Sequence, residues 1–302
     1  LSPVLAKATA VSSASAAALA AGLPALLIAA QRIAATVLQG MHGRRRVGLG
    51  ESFWQFRAYQ PGDTVTRIDW RQSAKSDRLF IRETEWEAAH TILLWRDTSA
   101  SMDYHSAGTL PTKRERADLL LLALASLLLR GGERVGLLQE NRPPPVSHVS
   151  GLERLANLLL TGGTGADLPP PARVGRHSTV ILASDFLGPL PPVAEAVQAL
   201  AAQGVDGVLI QLLDPAEITL PFSGRVRFEG VEGEDAELAP RAEALRDEYR
   251  ARLARQQQGL EGIAKQAGWQ VLLDRTDRPA LAPLQDLFVM LAGATRTNRA
   301  TA

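Results

Sequence analysis

Thr91-Ile92-Leu93-Leu94-Trp95-Arg96-Asp97-Thr98-Ser99-Ala100-Ser101 is the stretch whose reading decides the fold. An apolar run of strand type stops at Asp97, and a hydroxyl residue follows at each second position. Alternate residues of an extended segment point the same way, so Asp97, Ser99 and Ser101 converge once the following loop curls over one point. A carboxylate and two hydroxyls are hard oxygen donors that suit magnesium, manganese or calcium better than zinc or copper. So few side-chain ligands leave a position open, which a partner's carboxylate can fill. The plainer reading of the same residues is a polar loop with Asp97 or Ser99 capping the next helix.

A second apolar run, Ser178-Thr179-Val180-Ile181-Leu182-Ala183-Ser184, also ends in a carboxylate, Asp185. Open parallel sheets bind ligands outside the carboxyl ends of strands, where strand order reverses, and two such runs fit that location. Between them, Thr161-Gly162-Gly163-Thr164-Gly165 offers a hydroxyl from a flexible loop. Thr164 is the first candidate for that ligand and Thr161 the second. The metal site read from the sequence is therefore Asp97, Ser99, Ser101, Thr164 and Asp185.

Around these runs, helical and strand patterns alternate. Residues 113–130 read as a helix, apolar nearly all round over 119–129 and stopped by Gly131-Gly132. Residues 134–139 read as a strand, 152–160 as a helix, 192–203 as a helix and 205–213 as a strand. Such alternation argues an α/β fold: a parallel, Rossmann-like sheet flanked by helices. Asp214-Pro215 breaks the pattern. Residues 217–220 and 225–229 read as a hairpin, and Ala242, Leu245, Tyr249, Leu253, Leu260, Ile263 and Ala267 mark one face of a long helix that packs on its own sheet. Residues 269–273 read as a last strand, 281–293 as a last helix, and the tail from Thr295 as frayed. The resulting division is N-terminal helices over 1–40, a basic and aromatic β-rich segment over 41–88, an α/β domain over 89–296 with an insertion at about 215–267, and a tail over 297–302.

The chain has 302 residues, a formal net charge of +1 and no cysteine. No strong overall field draws it to nucleic acid or membrane, and disulfides, thiolate metal sites and a cysteine nucleophile are excluded. Residues 16–30 are apolar, but fifteen residues are short for a membrane span, and Lys7 is the lone basic residue ahead of them. The expectation is soluble amphipathic helices, no membrane span and a cytoplasmic location. Residues 44–82 carry nine basic against four acidic residues, interleaved with Phe53, Trp54, Phe56, Tyr59, Trp70 and Phe80. That mixture can bind single-stranded nucleic acid. A small sheet with core aromatics, and arginines paired to Glu83, Glu85 and Glu87, is preferred because the whole chain is near neutral. Phe53 to Tyr59 and Leu79 to Trp86 would be its strands, with a turn at Pro61-Gly62-Asp63.

Enzyme signatures are missing. There is no Gly-x-Ser-x-Gly elbow and no phosphate-binding Gly-Lys-Ser/Thr loop, and Gly48-Leu49-Gly50 lacks a third glycine. His42, His90, His105, His148 and His177 have no metal-ligand spacing. An aspartyl-phosphate phosphatase needs a second carboxylate two residues after the first, and Ser99 stands there. A metal-dependent phosphoester hydrolase and a nucleic-acid binder using residues 44–82 remain the rivals to a metal-dependent binding module.

Phe53-Trp54-Gln55-Phe56-Arg57-x-Tyr59-Gln60-Pro61-Gly62-Asp63, Arg67-Ile68-Asp69-Trp70-Arg71-Gln72-Ser73-Ala74-Lys75, Asp97-Thr98-Ser99-Ala100-Ser101-Met102 and Ser184-Asp185-Phe186 resemble bacterial proteins carrying the domain of unknown function 58. The resemblance runs from about residue 40 to the end. It implies kinship with von Willebrand factor A-type domains and a metal-ion-dependent adhesion site (MIDAS), with Asp97, Ser99 and Ser101 matching its first motif and Asp185 its last. The threonine motif matches less cleanly, because Gly165-Ala166 separate Thr164 from Asp167. Many members carry two N-terminal membrane spans; none is expected here, so membrane attachment is not part of what the resemblance implies for this chain. The resemblance also implies an adaptor or chaperone-like role beside a MoxR-type AAA ATPase.

Overall fold

The computed structural model describes residues 23–39, 53–60, 64, 68–75, 78–84, 90–140, 143–162, 165–176, 178–228 and 237–300. They form two compact units, one spanning Arg45–Ala89 and one made of the rest.

The smaller unit is a two-stranded antiparallel sheet of β1 (Phe53–Ala58) and β2 (Phe80–Thr84). Phe56 and Phe80 meet edge to face at 6.5 Å, and Ile68 bridges to Ile81, both buried. Asp69 starts the short helix α2 (Trp70–Ser73) by accepting from the Gln72 amide at 2.9 Å. The ring of Trp70 stands 62% exposed. The turn at Pro61-Gly62-Asp63 and the partners Glu85 and Glu87 lie outside the described residues.

The larger unit is built on five parallel strands: β3 (Thr91–Arg96), β4 (Arg134–Leu137), β5 (Thr179–Ser184), β6 (Asp206–Leu213) and β9 (Gln270–Arg275). Their spatial order is β4-β3-β5-β6-β9. The chain moves from β3 outward to β4, then crosses back to place β5 on the other side of β3. The order therefore reverses between β3 and β5, which is the switch point of an open α/β sheet. The fold is α/β and Rossmann-like, as the alternation of patterns predicts.

Period-two alternation sends Ile92 and Leu94 to one face and Leu93 and Trp95 to the other. On the first face lie residues 23–39 (α1), α3 (Lys113–Arg130), α4 (Leu152–Thr161) and α8 (Leu281–Ala300). On the second lie α5 (Leu190–Ala201) and α7 (Arg246–Gln266). Burial on both faces explains why β3 and β5 are unbroken apolar runs. Leu23, Ala30, Ala34 and Val37 are the buried face of α1, so one face of residues 23–30 of the N-terminal apolar run, and of the helix that continues to 39, packs into the core. Among the described residues no helix is long and apolar enough to cross a membrane.

A glycine decides one contact on the second face. A Cβ at Gly207 would lie 2.3 Å from the ring of Trp269, whose indole N–H donates to the Val205 carbonyl at 2.9 Å. The ring is pinned and has nowhere to go. Gly207→Ala is expected to lower stability by about 1–3 kcal/mol, as overpacking of a close-packed core does, read as a drop in urea midpoint.

Three expectations are corrected. Residues 217–220 are not a strand: Pro215–Thr219 is a short helix, α6. Asp214 accepts from Ala216, Glu217 reaches back to the Asp214 amide, and Pro215 stands in the first turn, so the segment carries a helix-start signal. The hairpin pairs β7 (Val226–Phe228) with β8 (Glu237–Ala239) instead. The tail does not fray at Thr295, because α8 continues to Ala300.

Candidate functional site

Asp97 and Asp185 follow β3 and β5 directly, on the two sides of the switch point. The Asp97 amide donates to the Ala183 carbonyl at 2.8 Å, so the sheet register itself fixes where Asp97 leaves the strand. Its Oδ1 accepts from the Ser99 amide at 2.7 Å and from Ser99 Oγ at 2.6 Å. Its Oδ2 accepts from Ser184 Oγ at 2.6 Å. Ser99 Oγ and Ser101 Oγ lie 3.0 Å apart. Since Ser99 gives its one proton to Asp97, Ser101 is the donor of that pair. The predicted convergence of Asp97, Ser99 and Ser101 is therefore present.

Asp97 and Ser99 are buried, with Ser101 half-exposed toward the cavity. Burial pushes the Asp97 carboxyl above the ordinary aspartate value, against the bonds from Ser184 and Ser99, and neighbouring Asp185 adds to the rise. A buried carboxylate held by rotatable hydroxyls suits a cation, because each hydroxyl can turn from proton to lone pair.

Asp185 is held differently. Its Oδ2 lies 2.7 Å from Lys113 Nζ, and its Oδ1 accepts from the Leu187 amide at 3.2 Å. Lys113 is the first residue of α3 and retains 1% exposure. Its ammonium also lies 2.5 Å from Glu217 Oε1, and 5.9 Å from the centroid of the Tyr104 ring. Burial works against this ammonium, but Asp185 and Glu217 outweigh it and raise its pKa. Burial likewise raises the Glu217 carboxyl. Asp97, Asp185 and Glu217 against Lys113 leave a formal charge of −2.

The threonine ligand behaves differently from the rest. Thr164 lies outside the described residues. Thr161 is exposed and its hydroxyl donates to the Asn157 carbonyl within its own helix, so it does not join the cluster. The following loop is tied to the site through Thr98: the Thr98 amide donates to the Ala166 carbonyl at 2.9 Å, and the Ala166 amide donates to Thr98 Oγ1 at 3.0 Å. Asp167 then lines the same cavity as Asp97, Ser99, Ser101 and Asp185.

That cavity has a volume of about 430 Å³. Its floor is the oxygen cluster; its wall includes Leu187, Val193, Leu220, Phe222, Phe228 and Tyr249. Phe186, between floor and wall, has φ +48°, a left-handed backbone that a bulky residue adopts only when its surroundings impose it.

The donor set fits a hard divalent cation. Asp97, Ser99 and Ser101 would hold it, with Asp185 beside them. Among the described residues no three carboxylate or imidazole groups cluster as a metal cage, so the fit depends on the hydroxyls.

Comparison with known proteins agrees with the sequence motifs. The family described as "Protein of unknown function DUF58" matches residues 55–259, more than half of the chain. The chain belongs to that family. This DUF58 chain is 28% identical over 281 residues to the uncharacterized protein Rv1480 of Mycobacterium tuberculosis, covering 88% of this chain and 87% of that protein. The uncharacterized protein Mb1516 of Mycobacterium bovis matches over the same shares at the same identity. Among solved structures, the conserved hypothetical protein BatB of Bacteroides thetaiotaomicron aligns with a TM-score of 0.40 at 15% identity, over 69% of this chain and 100% of that one. An aerotolerance-related membrane protein of Bacteroides fragilis aligns with a TM-score of 0.39 at 14% identity, over 68% and 100%. Both structural likenesses are too loose to bear on function.

Two residues of the DUF58 site escape a reading of the sequence. Lys113 looks like an ordinary exposed helix start, and nothing local shows that its partners come 72 and 104 residues later. Glu217 could have been found, because Asp214-Pro215-Ala216-Glu217 is a helix-start signature that fixes which way its side chain turns.

Proposed function

We propose that this DUF58 chain is a divalent-cation-dependent protein-interaction module of von Willebrand factor A type. Asp97, Ser99 and Ser101 hold magnesium, manganese or calcium beside Asp185, and an acidic side chain of a protein partner completes the shell. The observation that supports this reading is the convergence of one buried carboxylate and two serine hydroxyls at the switch point, next to a second strand-end carboxylate. The bound cation supplies a positive centre for an anionic group. The chain's own residues orient that centre and wall it from one side. The partner in this reading is a MoxR-type AAA ATPase or a client handed to one, with the DUF58 chain as adaptor.

Titration of Mg²⁺ and Mn²⁺ into the full chain by calorimetry tests the cation. Saturable binding is expected, with at least about a tenfold loss of affinity in Asp97→Ala, since one charged ligand is removed from a small set. Equal binding by wild type and variant would put the cation elsewhere, and Mn²⁺-dependent hydrolysis of a generic phosphoester lost in Asp97→Ala would move the chain to the enzymes. A purified MoxR-type ATPase that binds equally in Mg²⁺ and in EDTA would remove the cation from the partnership.

A further inference from the structure

The wall of the cavity is too well built to be incidental to its floor. One helix, α7, holds both of its rims. On one side Arg246 donates to the carbonyls of Leu220 (3.0 Å) and Phe222 (3.1 Å), and the Tyr249 hydroxyl donates to that of Glu217 (2.5 Å). On the other, Gln256 donates to the carbonyls of Phe186 (2.8 Å) and Gly188 (2.7 Å). Burial pushes the Tyr249 hydroxyl up to about 12, so it stays a donor at neutral pH. Phe222 and Phe228 meet edge to face at 5.9 Å, bracing the far wall. These bonds satisfy backbone carbonyls around the cavity and fix the segments that carry its apolar wall residues. Preformed cavities of this kind, apolar with a few convergent polar groups at one end, take ligands that match both ends.

We infer that the occupant is a peptide segment carrying a carboxylate next to a bulky apolar side chain, such as Asp or Glu beside Leu, Met or Phe, the carboxylate meeting the floor and the apolar group seating against Leu187, Val193, Leu220, Phe222 and Phe228. The inference rests on the cation reading above, because the formal charge of the floor is −2 without a divalent ion and would repel an anion. With the ion present, Asp97, Asp185, Glu217, Lys113 and the ion sum to zero and Asp167 keeps one negative charge on the cavity, so the positive centre is local to the ion, and it is there that an anion flanked by apolar surface fits. A carboxylate alone would leave the wall wet; an apolar side chain alone would leave the cation's open position unfilled. The cavity volume of about 430 Å³ has room for both side chains together with the peptide backbone that joins them.

The test is selection of a random heptapeptide library on the immobilised full chain, in Mg²⁺ and in EDTA, with Mn²⁺ calorimetry run in parallel. Enrichment in Mg²⁺ of peptides with an acidic residue adjacent to Leu, Met or Phe is expected. In a selected peptide, replacing the apolar residue by Ala is expected to weaken binding at least about tenfold, the burial of a few methylenes. Leu187→Ser and Phe228→Ala are expected to weaken the same peptide while leaving Mn²⁺ affinity unchanged. Metal-dependent peptides that are acidic with no apolar preference, peptides indifferent to both wall variants, or an absence of any enriched peptide while Mn²⁺ still binds, would each overturn the inference and leave the cation reading standing. A chain that binds neither Mn²⁺ nor peptide takes both down.

Discussion

Lys113→Met is expected to destabilise the protein by roughly 3–5 kcal/mol at neutral pH, a fall of about 10 °C in Tm for a unit of this size. The ammonium is buried between Asp185 and Glu217, and methionine matches its length while removing its charge. Two carboxylates are then left facing one another in a site that water barely reaches. Because the folded-state pKa of Lys113 is raised above 10.5, its contribution is fully present below that value and is lost only as pH rises through the raised one. The lysine's own titration therefore adds no pH dependence around neutrality, and the penalty should shrink only toward acid, where the two stranded carboxylates take up a proton. The same substitution changes the floor from a formal charge of −2 to −3, so Mn²⁺ should raise the Tm of the variant by more than that of the wild type. Differential scanning calorimetry with and without Mn²⁺ reads both effects. A variant that melts with the wild type would mean that Asp185 and Glu217 do not need the ammonium. An identical Mn²⁺ shift in the two proteins would mean that Lys113 lies electrically apart from the cation.

Asp274→Ala carries the second large effect. Asp274 in β9 grips Arg116 of α3 through two bonds, Nε at 2.7 Å and NH2 at 2.9 Å, with both side chains buried. Removing the carboxylate strands a guanidinium that cannot shed its proton, and about 3–5 kcal/mol should be lost in urea unfolding. The double substitution Arg116→Met with Asp274→Leu is expected to recover most of that loss, since a packed apolar pair avoids desolvating two ions. If the double variant is as unstable as the single one, the ion pair gives something that apolar packing cannot replace, and positioning of α3 is the first candidate. Lys113, Arg116 and Asp118 all lie in the first six residues of α3, and all three reach buried partners on other elements. The leucine-rich remainder of the helix offers nearly the same surface on every side, so these charges are what can fix its rotation and register.

The floor of the site was legible in the sequence because each of its residues sits where an apolar run ends. Asp97 and Asp185 mark strand termini, and a parallel sheet brings termini together whatever lies between them. Ser99 and Ser101 follow at the spacing that turns them to the same point. The wall was not legible in the same way. Phe222 and Phe228 are six residues apart in a segment without periodicity, and they line one cavity only because α7, further along the chain, fixes the carbonyls around them. Leu253, Leu260 and Ala264 mark the buried stripe of α7, whereas Leu245, which the periodicity placed on that stripe, is exposed because α7 begins at Arg246 after a tighter turn at Ala242–Leu245. The misread segment at 217–220 shows the same limit: its apolar residues suit a strand, and the capping signal at Asp214 and Glu217 outweighs them.

The clasp formed by α7 also sets an order of assembly. Asp97, Ser99, Ser101 and Asp185 are all present on a chain synthesised as far as the residue after β5, whereas Tyr249 and Gln256 emerge later and β9, which closes the sheet against β6, later still. A domain folds as a unit, and pairings between distant segments come late in that process. The oxygen cluster is thus present in the growing chain before the helix that braces the wall around it. A chain cut short before α7 would lack α7, β9 and α8, and with them the buried Leu260, Leu272, Leu284 and Leu287, so it would lose the core beneath the site together with the clasp around it.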